Sequence, residues 1–265
     1  MSSMAPWPRP QSLPSKGTRM RISLPNHPLR HALFLILSLT FGFPAQAASD
    51  AHYVGIAQVD LGRLLSPPPS PGTSEEKSDL EAVVEASRSR SPQEAEAARA
   101  DGERSVLRFA DALGDGFTAG KLTFSLPFFA RVGGDIHAIV GTAKVDFDRL
   151  RPYIVDTRVE ALRNDAEMSP APHHRSGSYP SGHASFAYAA AILLAAMVPE
   201  KSSEIFARAA LYAHHRLVAG VHYPTDIEAG RIAGTVIANV LLHDPRFMAD
   251  YARSREEIRH AVGVD

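Results

Sequence analysis

Residues 181–198 read SGHASFAYAAAILLAAMV, and this stretch decides the fold. It begins with Ser181, a residue type that caps helix N-termini, and Pro199 follows its last residue. A helix that is apolar on all sides either lies in the core of a protein or spans a membrane. The stretch is dominated by alanine and includes Ser and Tyr, and the chain has no second segment like it. We therefore expect it to be the central buried helix of a bundle.

Helical patterns flank this stretch on both sides. Ser91-Pro92-Gln93-Glu94 combines a serine cap, a proline at the first helical position and a glutamate at the third. Further helices are predicted from residue 73 and at about residues 91–113, 118–131, 136–150, 200–218, 225–242 and 245–262, with a loop over residues 156–179. Val and Ile show no alternating runs after residue 73. We therefore predict an all-α, single-domain helical bundle.

The first 47 residues have the features of an export signal. Arg30 precedes an uncharged apolar run over residues 32–43, and Ala45-Gln46-Ala47 follows it. A basic flank, a short apolar core and an A-x-A site are typical of a cleaved signal peptide. Met20 is an alternative start to Met1, which would make residues 1–19 an extension. We expect cleavage after Ala47, no membrane-spanning segment in the remainder, and a helical domain over residues 48–265 that is periplasmic or secreted.

Composition excludes several classes of protein. Lys and Arg total 28 against 29 Asp and Glu, and removal of residues 1–47 takes away five basic residues and no acid. The chain therefore lacks the basic excess of a general nucleic-acid binder. It has no cysteine, which excludes disulfides, thiolate metal sites and a cysteine nucleophile. The sequence is compatible with a homo-oligomer but indicates no interface.

Lys144 and Arg151-Pro152 form a first cluster. Seven residues are almost two helical turns, so both cations are predicted on one helix face about 10 Å apart along the axis, where they can share an anion. The alternative is a solvated basic face, because Arg149 lies nearby.

The second cluster is Ser178-Tyr179-Pro180-Ser181-Gly182-His183, at the start of the apolar helix. Helix N-termini bind phosphate through free amides and the helix dipole, and Gly182 lets an anion approach the backbone. His183 in the first turn is placed to contact that anion. An ordinary capped helix is the alternative interpretation.

The third cluster is Arg216, His222 and Asp226, in HHRLVAGVHYPTD. Gly220 ends one helix and Pro224 begins the next, so His222 is predicted in the turn. Asp226, four residues on, is expected to accept a hydrogen bond from one ring nitrogen and leave the other as a base or nucleophile. The alternative is a structural His–Asp contact.

Together the clusters follow the order Lys-x6-Arg-Pro, Pro-Ser-Gly-His, Arg-x5-His-x3-Asp, and ten fixed positions make coincidence negligible. The chain resembles the type 2 phosphatidic acid phosphatase superfamily, and within it the exported bacterial class A non-specific acid phosphatases. The resemblance implies the helical bundle of the acid phosphatase and vanadium haloperoxidase type. It also implies an acid phosphatase that needs no metal or cofactor, hydrolyses small-molecule phosphomonoesters through a phosphohistidine, and is inhibited by vanadate.

The resemblance assigns roles to individual residues. His222 is the nucleophile, Asp226 orients it, and His183 protonates the leaving oxygen and later activates water. The phosphoryl oxygens are expected to bind Lys144, Arg151, Ser181, Gly182 and Arg216. Because one histidine must be protonated and the other neutral, a bell-shaped pH profile with an optimum below neutral pH is expected.

Two positions depart from the family pattern. His215 stands where Ser usually precedes the third-motif arginine, and Ala184 stands where Thr often follows Pro-Ser-Gly-His. A lost hydroxyl near the phosphate would cost about 1 kcal/mol per hydrogen bond. His173-His174 and Arg175 are expected to border the mouth of the site rather than to bind a metal, since no His-x-x-x-His frame supports them.

Three alternatives remain at this stage. A vanadium-dependent haloperoxidase would use the same residues, but such chains are much longer. A lipid phosphate or diphosphate phosphatase would act at a membrane surface. A non-catalytic phosphate-binding protein would not require the oriented His222–Asp226 pair.

Overall fold

The computed structural model describes residues 52–162 and 177–264, all within the structural unit Ala48–Asp265. No β-strand occurs in either range, and the all-α prediction is confirmed. Short 3-10 helices lie at Val106–Phe109, Ala119–Lys121 and Pro199–Lys201. The α-helices are α1 (Leu61–Leu64), α2 (Ser74–Ser89), α3 (Pro92–Ala100), α4 (Ala110–Leu113), α5 (Ser125–Phe147), α6 (Pro152–Val155), α7 (Gly182–Met197), α8 (Ser202–Val218), α9 (Pro224–Leu241) and α10 (Pro245–Val262).

The apolar stretch forms α7, the central helix of the bundle. Phe186, Leu193 and Leu194 are buried, together with six alanines of the same helix. α7 packs against α9, α8 and α5, which surround it because its apolar surface runs round the whole helix. Within the described residues, no helix is both long and apolar enough to cross a membrane.

Two glycines of α9 bring it close to α7. A Cβ at Gly230 would lie 2.5 Å from the Ser181 carbonyl oxygen, and one at Gly234 would lie 2.3 Å from that of Ser185. No larger residue fits these positions unless the backbone moves. The two glycines therefore set the distance between the N-terminus of α7 and the start of α9, where the motif residues lie.

The prediction of one helix over residues 91–113 is wrong. α3 ends at Ala100, and the chain becomes helical again only at Val106. The capping box at Ser91 and Glu94 is present as predicted. Asp101 explains the break, because its fully buried carboxylate binds side chains that come from later in the chain.

Two helices were predicted over residues 118–131 and 136–150, and this is also wrong. A single helix, α5, runs from Ser125 through Gly133-Gly134 to Phe147. Gly133 and Gly134 have a low helix propensity. The burial of Val132 and Ile136 on either side of them outweighs it. A Cβ at Gly133 would lie 3.5 Å from the Phe186 ring of α7, an ordinary van der Waals distance, so packing against α7 does not require glycine at this position.

Candidate active site

A tight turn between α8 and α9 carries His222, as predicted. Gly220 adopts a φ of +71°, and the amide of Val221 donates to the Arg216 carbonyl oxygen at 3.2 Å, which closes a Schellman-type helix end. A Cβ at Gly220 would also lie 2.9 Å from Cγ1 of Val159. Backbone conformation and packing therefore both require glycine at this turn.

The contacts of the two ring nitrogens of His222 define its tautomer. Nδ1 lies 3.3 Å from Oδ2 of Asp226, and Nε2 lies 3.2 Å from Nη1 of Arg151. An ionised carboxylate only accepts and a guanidinium only donates, so Nδ1 carries the proton and Nε2 presents its lone pair. The ring is 1% exposed. Nε2 is therefore a fixed, unprotonated nitrogen among cations.

The surroundings of His222 keep the ring neutral. Burial lowers the pKa of His222 well below its usual value of 6.5. The charges of Arg151, Lys144 and Arg216 lower it further, because each disfavours a second positive charge. The unprotonated form, which a nucleophile requires, therefore persists into acidic solution.

Asp226 is fully buried, and both its oxygens accept hydrogen bonds. Oδ1 accepts from Nη1 of Arg149 at 2.7 Å. Oδ2 accepts from the Tyr223 amide at 2.9 Å and from the Ser178 hydroxyl, besides facing His222. A buried carboxylate stays charged only when it is paired in this way.

Arg149 is a site residue that the sequence analysis placed only in a solvated basic face. Its side chain is 9% exposed, and its Nη2 donates to Oδ2 of Asp79 in α2 at 2.8 Å. The guanidinium also lies 3.8 Å from the centre of the Tyr223 ring. Although burial works in the opposite direction, Asp226 and Asp79 raise the pKa of Arg149. It is thus a charged link between the two carboxylates.

The prediction that Lys144 and Arg151 share one helix face is wrong. α5 ends at Phe147, and Asp148 follows in a left-handed conformation with φ of 42°. Arg151 is the N-cap of α6 instead, and its Nη1 donates to the Val221 carbonyl oxygen at 2.8 Å. The chain reversal, rather than helix periodicity, brings Arg151 to His222.

Lys144 joins α5 to the segment that leads into α7. Its ammonium group donates to the carbonyl oxygens of Gly177 and Ser178, the latter at 3.3 Å. A Cβ at Gly177 would lie 3.0 Å from the Lys144 carbonyl oxygen, so the two segments pack closely. The lysine is therefore held beside the site, where its charge lowers the pKa of His222.

The N-terminus of α7 lies beside the His222–Asp226 pair. Ser181 is its N-cap, as predicted, and accepts from the Ala184 amide at 3.3 Å. The Ser181 amide donates to the Asp226 carbonyl oxygen at 2.9 Å. A Cβ at Gly182 would meet only Cγ1 of Val140, at 3.7 Å, so packing within the protein does not require glycine there.

His183, in the first turn of α7, is held by a backbone carbonyl group. Its Nε2 lies 2.9 Å from the Gly102 oxygen, and because a carbonyl only accepts, Nε2 carries a proton. Burial and the charge of Arg216 lower the pKa of His183 well below 6.5, while the Gly102 hydrogen bond raises it. Arg216 is 1% exposed, and its charge acts on both histidines.

The structure places both departures from the family pattern. Ala184 is fully buried, and its Cβ would lie 2.8 Å from a Cβ added at Gly230, so it packs at the α7–α9 contact. His215 donates from Nδ1 to Oδ2 of Asp101 at 2.6 Å. His173, His174 and Arg175 lie outside the described residues. Among those that are described, no group of three or more His, Cys, Asp or Glu residues is arranged to hold a metal ion.

Comparison with known proteins finds a match over the part of the chain that contains the motif residues. Residues 129–248 match the family model described as the PAP2 superfamily. This segment of the chain is therefore similar to the PAP2 superfamily. All eight motif residues predicted to form the site fall inside the matched PAP2 residues.

Curated relatives of the chain include bacterial acid phosphatases. It is 30% identical to an acid phosphatase of Zymomonas mobilis over 122 residues, 46% of this chain and 45% of that protein. It is 29% identical to a non-specific acid phosphatase of Salmonella typhi over 128 residues, 48% of this chain and 49% of that protein. The aligned part therefore spans about half the length of these two relatives. A non-specific acid phosphatase of Providencia stuartii is 25% identical over 221 residues, 78% of this chain and 85% of that protein.

Two contributors to the site lie before the PAP2 match. Asp79 is the second carboxylate partner of Arg149, and Gly102 supplies the carbonyl oxygen that binds His183. Asp79 has a weak sequence signal, since it lies one residue before Leu80 and four before Val83, on the apolar face of α2. Gly102 contributes a backbone oxygen, which no side-chain pattern indicates.

Proposed function

We propose that this chain is a member of the PAP2 superfamily and an acid phosphatase that hydrolyses small phosphomonoesters through a phosphohistidine and without a metal ion. The observation that carries the proposal is the tautomer of His222, whose Nε2 lone pair faces Arg151 while Nδ1–H faces Asp226. This is the arrangement of an activated nucleophile with its orienting acid. The names of the acid phosphatase relatives support the same reaction class.

In the first step, Nε2 of His222 attacks phosphorus and the ester P–O bond breaks. His183 enters this step as the doubly protonated imidazolium; its Nδ1 proton passes to the leaving oxygen, which departs as the alcohol, and Nε2 keeps its own proton. In the second step, water attacks phosphorus, His183 takes up a proton from it, and the N–P bond breaks to release phosphate. Asp226 stabilises the positive charge that His222 carries in the intermediate.

The phosphoryl oxygens bind to cations and to the N-terminus of α7 in this proposal. Lys144, Arg151 and Arg216 supply the positive charge that a metal ion provides in other phosphatases, and this charge supports metal independence. Ser181 and the Gly182 amide supply neutral donors at the helix N-terminus.

The proposal is tested with p-nitrophenyl phosphate between about pH 4 and pH 8 in the presence of EDTA. The wild type is expected to be active, vanadate to inhibit, and His222→Ala to lose at least about 10³-fold in kcat. His243→Ala is the matched control, because His243 is exposed and lies beyond the other end of α9, about 27 Å along the helix axis. Dependence on an added metal ion, or full activity of His222→Ala, would contradict the proposal.

A second measurement tests the intermediate. Brief reaction with labelled phosphoester and quenching in alkali should leave label on the wild-type protein, because phosphohistidine survives alkali and is lost in acid. His222→Ala should carry no label. Equal labelling of both proteins would place the intermediate elsewhere.

We also propose that residues 1–47 are removed on export and that the domain from Ala48 acts in the periplasm or outside the cell. The basic flank, apolar run and A-x-A site support this. Mass spectrometry of the exported protein should find an N-terminus at Ala48. A protein that retains the apolar run at residues 32–43 would contradict it.

A further inference from the structure

Asp101 is the centre of a buried cluster that the mechanism above does not use. Its carboxylate is 0% exposed and accepts three hydrogen bonds, from Nη2 of Arg208 at 2.5 Å, Nε of Arg108 at 2.7 Å and Nδ1 of His215 at 2.6 Å. Two of these donors belong to α8 and one to the 3-10 helix that follows the Asp101 loop. The loop that breaks the predicted helix is therefore anchored from two directions.

Asp101 directly precedes Gly102, the residue whose carbonyl group binds His183. The carbonyl oxygen of Gly102 accepts from Nε2 of His183 at 2.9 Å, and the next carbonyl, that of Glu103, accepts from the Tyr212 hydroxyl. Asp101 is the C-cap of α3, and its amide donates to the Ala97 carbonyl at 2.9 Å. The orientation of the Gly102 carbonyl thus depends on residues fixed on both sides of it.

The Gly102 oxygen favours a protonated His183, whereas other neighbours oppose protonation. Burial, Arg216 of α8, Arg104 of the loop and His222 all lower the pKa of His183, and the Gly102 hydrogen bond raises it. The Tyr212 ring of α8 lies 6.5 Å from the imidazole, centre to centre. Among these neighbours of His183, the Gly102 carbonyl is the one that accepts a hydrogen bond from the protonated ring.

We propose that Asp101 is a positioning residue for proton transfer by His183. It fixes the Gly102 carbonyl on Nε2, so that in the doubly protonated imidazolium Nδ1 directs its own proton to the leaving oxygen. As the P–O bond breaks, the Nδ1 proton moves to that oxygen while Nε2–H stays on Gly102, and in the second step Nδ1 takes a proton from water. The inference rests on the proposed phosphatase function.

Asp101→Asn tests the inference through the nature of the leaving group. Nitrophenolate leaves readily without a proton, whereas an alkoxide does not. The variant should lose about 10- to 100-fold in kcat on glycerol 1-phosphate but less than about 3-fold on p-nitrophenyl phosphate, with KM for both changed less than about 3-fold. Asp111→Asn is the control, since Asp111 is exposed on α4, and it should leave both rates unchanged.

The pH profile gives a second readout. A displaced carbonyl no longer supports protonated His183, so the high-pH limb of kcat should move to lower pH in Asp101→Asn. The limb that reports neutral His222 should stay in place, because Asp101 makes no contact with that ring among the described residues.

His215→Ala is the milder variant, because it removes one donor and leaves both arginines on Asp101. It should also lose more kcat on glycerol 1-phosphate than on p-nitrophenyl phosphate, by a smaller factor than Asp101→Asn. If Asp101→Asn does not fold, this variant provides the test. Equal losses on both substrates in a folded variant would show that Asp101 is merely structural and would overturn the inference. A wild type inactive on both substrates would instead contradict the proposed function.

Discussion

Arg149 donates to Asp226 at 2.7 Å through one carboxylate oxygen, and the other oxygen of Asp226 faces the ring of His222. Arg149 also pairs with Asp79 of α2 at 2.8 Å. A single buried guanidinium thus connects an early helix to the carboxylate that orients the proposed nucleophile. Its contribution should be visible in both stability and catalysis.

Arg149→Met keeps much of the apolar stem and removes the charge. Asp79 and Asp226 are then left buried without their cation, so the free energy of unfolding should fall by about 3–5 kcal/mol. Guanidinium denaturation measures the change. Arg231→Met, which removes an exposed pair with Glu228, should cost less than about 1 kcal/mol. Similar values for the two variants would show that the Arg149 network is not stabilising.

Asp226→Asn should disable His222 while the fold is retained. The amide can donate to Nδ1 and so favours the tautomer with the proton on Nε2, which removes the nucleophilic lone pair. We expect kcat to fall about 10²- to 10⁴-fold. Asp79→Asn changes the other partner of Arg149 and should keep kcat within about 10-fold of wild type. Equal losses of kcat would argue against a tautomer effect.

Stability should depend on pH through the two histidines of the site. Burial and neighbouring cations place the folded-state pKa values of His183 and His222 below 6.5. Below about pH 6.5 the unfolded chain therefore binds more protons than the folded one, and stability should fall as the pH falls toward the folded values. Urea unfolding at several pH values measures the slope. His222→Gln should flatten it and the exposed control His243→Gln should not.

Gly230→Ala should disturb the junction of α7 and α9. The new Cβ would lie 2.5 Å from the Ser181 carbonyl oxygen, and backbone on both sides has to move. We expect a loss of about 1–3 kcal/mol in stability and a raised KM, since Ser181 caps the helix proposed to bind phosphate. Gly141→Ala in α5 meets no atom within 4 Å and should stabilise by about 0.5–1 kcal/mol. A neutral Gly230→Ala would show that the contact is loose.

Local chemistry made part of the fold predictable. α10 matches its predicted bounds because an Asp244 cap and a Gly263 stop lie at its ends, and α7 was recognised from its continuous apolar surface. The break at Asp101 and the continuity of α5 through Gly133-Gly134 depend on partners far along the chain. No sequence window contains those partners, so both predictions failed.

Part of the candidate site was also predictable from local sequence, and part depends on residues far along the chain. The motif residues His222 and Asp226 were predicted to form a hydrogen bond, and they do. Arg149 was not recognised, because whether an arginine is buried or solvated depends on Asp79, which is 70 residues away. The Gly102 carbonyl was beyond prediction, since every residue has such a group.

The contributions of Asp79 and Gly102 have a practical consequence for fragments of this chain. A piece cut at residues 129–248 would keep every residue of the three motifs. It would lack the carboxylate that shares Arg149 and the oxygen that holds His183. A graft or a minimal version of the proposed catalytic unit therefore has to include α2 and the loop after α3, although neither contains a recognisable motif.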